Sequence, residues 1–323
     1  MPIHDPGYRT WEGATTAVGN RWLVVASTGI QRAWRSSWLK RLLLLAWLPG
    51  ASLGLLIFMY EQARMQDDIP SRAVQGVVLN LLELPDSARD RFRTVGGMLE
   101  RRAQGPGEER HMFWSILLLN LFRRSQPLLL LQMVALIAPP LISQDIRSRA
   151  FLLYFSRPLS PFQYIWGKLL VVLFYSLLIT LAPALLLLTA GVLLSPGLDV
   201  LSATWDLPLR AVAAAAVITV PGALLALALS SLTTESRFAA VGWFSIWIFG
   251  WLLRRTSELF SGVSRDGIVS NLSLFHVTTD IAGWILDPNF KVPNFGMQAV
   301  ILSVLCAVSL AVLYRRVCAP LQV

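Results

Sequence analysis

Six apolar stretches, each near the length of a bilayer crossing, constrain this chain more than any other feature. They run from Leu42 to Tyr60, Gln126 to Ile142, Leu169 to Leu194, Leu209 to Leu232, Phe238 to Leu253 and Met297 to Tyr314. A helix crosses the hydrocarbon core with roughly 20 mostly apolar residues. Inside that layer each backbone polar group needs an internal partner, and a helix supplies it from its own ladder. Charged residues make up only 15% of the chain, where a soluble domain carries about 25%. The expected fold is an all-α integral membrane protein with six transmembrane helices. The fifth stretch is short, which predicts a broken or tilted helix.

Lysine and arginine in the short connections set the expected orientation. The N-terminal segment carries Arg9, Arg21, Arg32, Arg35, Lys40 and Arg41, and the connection between spans two and three carries Arg147, Arg149, Arg157 and Lys168. The tail adds Arg315 and Arg316, whereas the Ser195 to Pro208 connection has Asp199 and Asp206 and no basic residue. Both termini are therefore expected in the cytoplasm and the long 61–124 loop outside. Arg254 and Arg255 fall on the wrong side for this rule. The net charge of +9 follows from the same asymmetry, so no nucleic-acid partner is inferred from it. The first forty residues lack a signal-peptide pattern, so the span at Leu42 is expected to stay as an anchor.

Residues 1–41 read as a cytoplasmic tail and an interfacial helix, and residues 42–323 as the transmembrane domain. At about 100° per residue, Trp22, Ala26, Ile30, Ala33, Trp34 and Trp38 share one face of a helix over Asn20 to Arg41, with Arg21, Arg32 and Arg35 opposite. That division suits a helix lying among lipid headgroups, with Trp22, Arg32, Trp34, Arg35 and Trp38 at the membrane interface. The 61–124 loop reads as a helical cap: Ala73 to Leu84 and Ala88 to Arg102 are helical, and Gly105-Pro106-Gly107 breaks the chain. His111 to Phe122 is apolar but too short to span, and is expected along the outer interface. Leu272 to Leu286 is either re-entrant or an outer-surface helix.

The connection from Ser143 to Lys168 is basic and aromatic at once. Asp145, Arg147, Arg149, Arg157 and Lys168 do not suit lipid, while Phe151, Leu152, Tyr154, Phe155 and Trp166 have little use in a free loop. The combination predicts a helix along the cytoplasmic face that touches another protein.

Enzyme signatures are absent. His4, His111 and His276 are scattered and form no His-Glu-x-x-His pair; there is no Gly-x-Ser-x-Gly elbow and no phosphate-binding Gly-x-x-x-x-Gly-Lys-Ser/Thr loop. The two cysteines, Cys306 and Cys318, give neither a disulfide scaffold nor a zinc pattern. The spans show almost no ionisable group, which proton-coupled carriers need. Pro49, Pro139, Pro140, Pro183 and Pro221 are expected to kink helices. Active transport would then have to be driven by another chain.

The chain resembles the membrane (permease) subunit of a type-2 ATP-binding-cassette exporter. The likeness lies in the interfacial helix, six spans, large first outer loop, and an acidic-basic stretch after span two. That stretch reads Asp145, Arg147, Arg149, then Tyr154-Phe-Ser-Arg-Pro-Leu-Ser160, then Tyr164-Ile-Trp-Gly-Lys168. The family commonly has Glu followed by Gly-Thr, where this chain has Asp145 and then Ala150-Phe151. The resemblance implies a multi-pass protein of the bacterial inner membrane, paired with a second copy or a related permease. Cytoplasmic ATPase subunits carrying Mg-ATP would dock beneath; this chain itself is expected to hold no cofactor and to be no enzyme. Within the 144–167 segment, Asp145 to Phe155 would be the coupling helix. Phe151, Leu152, Tyr154 and Phe155 would anchor it, Asp145, Arg147 and Arg149 would fix register, and Arg157-Pro158 would end it. The competing reading is a membrane scaffold or regulatory anchor, with the 61–124 loop as the site for an extracytoplasmic partner.

Overall fold

The computed structural model describes residues 20–65, 106–150, 159–195, 197, 199–260, 271–287, 290 and 292–318. Among the described residues the chain is helical, without strands, and six stretches are long and apolar enough to cross a membrane. They are Ser37–Gln62, Arg110–Arg147, Pro161–Leu194, Val200–Leu232, Ser236–Thr256 and Phe295–Cys318. Each contains one of the six stretches read from the sequence.

Helix ends fall where local chemistry caps the ladder. α1 (Arg21–Trp34) stops at a turn over Arg35 and Ser36 before α2 (Ser37–Met65). Ser36 Oγ accepts the Leu39 N–H there at 3.5 Å. The single helix expected over Asn20 to Arg41 is therefore two, with Trp38 on α2. α3 (Pro106–Asn120) continues through a π-helical segment, Leu121–Ser125, into α4 (Gln126–Arg147). α5 (Pro161–Leu194) opens on a capping box: Ser160 Oγ accepts the Gln163 N–H at 3.2 Å and Gln163 Oε1 accepts the Ser160 N–H at 3.3 Å. Pro161 follows at a position whose N–H would lack a helical partner anyway. α6 (Asp199–Thr204), α7 (Asp206–Leu232), α8 (Ser236–Phe260), α9 (Leu274–Leu286) and α10 (Phe295–Cys318) complete the order.

The second crossing holds 38 residues, about 57 Å of helix at ~1.5 Å per residue, against a hydrocarbon core of about 30 Å. Its excess length is not surface structure. The interfacial placement expected for His111 to Phe122 is corrected: Phe113, Trp114, Leu117, Leu118, Leu121 and Phe122 are buried inside the bundle. Tyr60 of α2 stacks on Phe113 at 4.0 Å. Trp114 packs on Gly191 of α5, where a Cβ would lie 2.5 Å from the indole.

α7 sits at the centre, against α4, α5, α8, α9 and α10. Its buried Ala211, Ala214, Ala215, Gly222 and Ala223 let neighbouring backbones approach closely, the packing that serves where lipid supplies no hydrophobic drive. In the most apolar window of α7 67% of residues are buried, against 22% for α8 and 17% for α10, so α8 and α10 form the periphery.

α9 does not span. It starts beside the middle of α8, where a Cβ on Gly250 would lie 3.2 Å from Ser273 Cα. It ends where Leu286 O accepts the Ser115 hydroxyl at 2.9 Å. Most of its length is buried, Val277 through Gly283 included. α9 thus packs within the helix bundle, and the irregular backbone at its ends is tolerated where protein surrounds it.

Candidate functional sites at the two ends of the bundle

At the end where α4 finishes, a short arc of side chains fastens four elements together. The Asp145 carboxylate is 6% exposed and takes the Lys168 ammonium at 2.7 Å and the Tyr164 hydroxyl at 2.7 Å, both from α5. Gln144 accepts a hydrogen bond from Arg32 of α1 at 2.8 Å. Arg147 pairs at 3.1 Å with Glu235, in the turn between α7 and α8. One turn earlier, the Ser230 hydroxyl of α7 accepts the Ile142 and Ser143 N–H groups at 3.2 and 3.1 Å and donates to Pro139 O at 2.6 Å. A hydroxyl inserted at the Pro139-Pro140 step satisfies backbone that the prolines disturb.

The α4 terminus is a six-to-one, five-to-two closure: Ala150 N–H donates to Asp145 O at 2.9 Å and Arg149 N–H to Ile146 O at 3.1 Å. Arg149 carries φ 54°, the left-handed step of this cap. One expectation is corrected. The helix predicted from Asp145 to Phe155 is not continuous, because Asp145, Ile146 and Arg147 belong to α4 and Arg149 turns the chain. Asp145, expected to set register on a partner, is buried and holds both Lys168 Nζ and the Tyr164 hydroxyl on its Oδ2. Arg147 and Arg149 are exposed. Phe151, Leu152, Tyr154, Phe155, Arg157 and Pro158 lie outside the described residues.

The α1 residues divide differently from the amphipathic reading. Ala26 is buried, with Ile30 and Ala33 packed on the core, because this face lies on α5. A Cβ on Gly29 would lie 2.5 Å from Val171, and one on Gly167 2.7 Å from Val25 and 3.0 Å from Trp22 O. Tyr175 donates to Ile30 O at 2.7 Å. Trp22 is half-buried on this contact, Arg32 reaches Gln144, and Trp34, Arg35 and Trp38 are exposed. Trp34 also stacks on Tyr175 at 6.4 Å.

The opposite end holds a second cluster. Asp280 of α9, 2% exposed, receives Arg123 of the π segment at 2.9 Å and Arg254 of α8 at 3.4 Å. Arg123 lies over the Phe290 ring at 4.4 Å. Sequence reading missed this site, but it contains a signal: Arg254 violated the positive-inside rule because it is not a loop charge but half of a buried pair. Buried ionic groups within a membrane protein are costly and mark functional positions, and π segments recur at such positions. Nearby, His111 meets Asp206 at 3.0 Å, Arg210 meets Asp206 at 2.7 Å, and Arg110 meets Glu61 at 2.9 Å. Among the described residues no group of His, Cys, Asp and Glu has metal-holding geometry.

His276 on α9 shares a 2.7 Å hydrogen bond with Ser273.

No protein-family model, curated protein or solved structure matches this chain.

Proposed function

We propose that this protein is the permease subunit of an ATP-binding-cassette transporter of the exporter type, working with separate cytoplasmic ATPase subunits and a second permease copy. The observation that carries this reading is the arc at the end of α4. Any force applied to the connection between Arg147 and Pro161 reaches α4 directly, α5 through Asp145 with Lys168, α1 through Gln144 with Arg32, and the α7–α8 turn through Arg147 with Glu235. The helix end that leads into this connection is thus tied to several spans at once. The lysine and arginine distribution supports a cytoplasmic position for this end, where an ATPase would stand, and the sequence offers no phosphate-binding loop of its own.

In this reading Phe151, Leu152, Tyr154 and Phe155 anchor the ATPase, while exposed Arg147 and Arg149 orient it. Asp145 positions the connection from within. Purification from native membranes should bring down a nucleotide-hydrolysing subunit. Phe151→Ala or Tyr154→Ala should lower ATP hydrolysis of the complex roughly tenfold or more, the effect of losing an anchor worth about 2 kcal/mol, at unchanged permease level. Complexes that never contain an ATP-hydrolysing chain would sink the proposal.

A further inference from the structure

We infer that the elbow between α1 and α2 is a binding site for the headgroups of anionic phospholipids. This rests on the membrane-spanning reading alone and holds whether or not the chain transports anything. Arg35, Lys40 and Arg41 are all exposed at the elbow, and none has a carboxylate partner among the described residues. The sequence carries no acidic residue between Glu12 and Glu61, so this cation group is not neutralised from its own stretch of chain.

Two tryptophans stand among these cations. Trp34 is 47% and Trp38 69% exposed, with Lys40 Nζ 5.7 Å from the Trp34 ring centre and Arg41 5.5 Å from that of Trp38. Exposed Leu44, Leu45 and Leu48 continue the apolar surface along α2. Indole rings settle at headgroup depth, so this order places the cations level with lipid phosphates. The phosphate of an anionic lipid meets them uncompensated, whereas a zwitterionic headgroup brings its own ammonium into the same positive field.

The site is also held in shape. α1 is locked to α5 by the Gly29–Val171 and Gly167–Val25 contacts and by Tyr175 on Ile30 O. The elbow is therefore presented by a fixed scaffold, and little ordering remains to be done on binding.

Native mass spectrometry of the full chain in micelles holding equal phosphatidylglycerol and phosphatidylcholine tests the assignment. The protein should retain phosphatidylglycerol preferentially. Each basic residue near an anionic surface contributes about fivefold, so R35Q/K40Q/R41Q should cut the preference by tenfold or more, and K40Q alone by about fivefold. The charge-matched variant R237Q/R315Q/R316Q should keep it. Unchanged thermal unfolding of the triple variant in phosphatidylcholine alone separates lost binding from lost fold, and K40Q carries the test if the triple variant misfolds. The inference is overturned if the wild type shows no preference, or if the charge-matched variant loses as much. Loss of a co-purifying protein from the triple variant with lipid preference intact would overturn it too, in favour of a protein-docking surface.

Discussion

Asp280→Asn is expected to lower the unfolding free energy by about 3 kcal/mol or more, the cost of removing one partner from a buried ion pair. The amide keeps the shape of the carboxylate but not its charge, so Arg123 at 2.9 Å and Arg254 at 3.4 Å are left facing each other across α9. Arg123→Gln should cost less than Asp280→Asn, because Arg123 is 25% exposed and its loss still leaves Asp280 with Arg254. Arg254→Gln, at the longer contact, should cost less again. The double variant R123Q/D280N should be more stable than the sum of its parts implies, since it removes both members of the shorter pair. Thermal unfolding of the four proteins in one detergent gives the cycle. An Asp280→Asn protein that unfolds with the wild type would show that the pair contributes nothing. Should Asp280→Asn fail to accumulate, Arg254→Gln still reports on the cluster with a smaller loss.

Why this cluster escaped the sequence is instructive. Apolar length is a local property, so the six crossings were legible from composition over some twenty residues at a time. Arg123 and Asp280 lie 157 positions apart, and nothing local says that the buried α9 brings them together. The 38-residue second crossing was read short for a related reason. Arg123 and Arg124 interrupt the apolar run, and a charge is scored as a boundary unless its partner is known. Arg254 stands out in the sequence as an exception to the positive-inside rule, and its ion pair with Asp280 accounts for its position.

At the other end, residue chemistry was legible but its direction was not. An aspartate beside arginines in a connection reads as a surface group. The Schellman turn at Arg149 instead ends α4 just beyond Asp145 and leaves its carboxylate on the inward face, opposite Tyr164 and Lys168. The α1 helix shows the same ambiguity: periodicity found an apolar face, and could not tell a face against lipid from one against α5. Gly29 and Gly167, which let the two helices touch, were the available sign.

Lys168 and Asp145 provide the companion experiment, and here four variants separate a brace from a mere ion pair. Lys168→Met leaves the 6%-exposed Asp145 carboxylate without its 2.7 Å ammonium, and Asp145→Asn leaves the ammonium without its counter-charge; each should cost about 3–5 kcal/mol. Tyr164→Phe removes one hydrogen bond to a charged acceptor and should cost about 1.5–3 kcal/mol. The double variant D145N/K168M should recover most of the loss, because a buried pair replaced as a unit is often close to neutral. Stability and coupling then part company. If the pair serves only to hold the fold, the double variant should restore ATP hydrolysis by the complex along with its melting temperature. If Asp145 with Lys168 carries load from the Arg147–Pro161 connection into α5, melting temperature should return while hydrolysis stays low, because no charge pair joins α4 to α5 at that point. Recovery of both together would remove the arc at the end of α4 as the support for the transport reading.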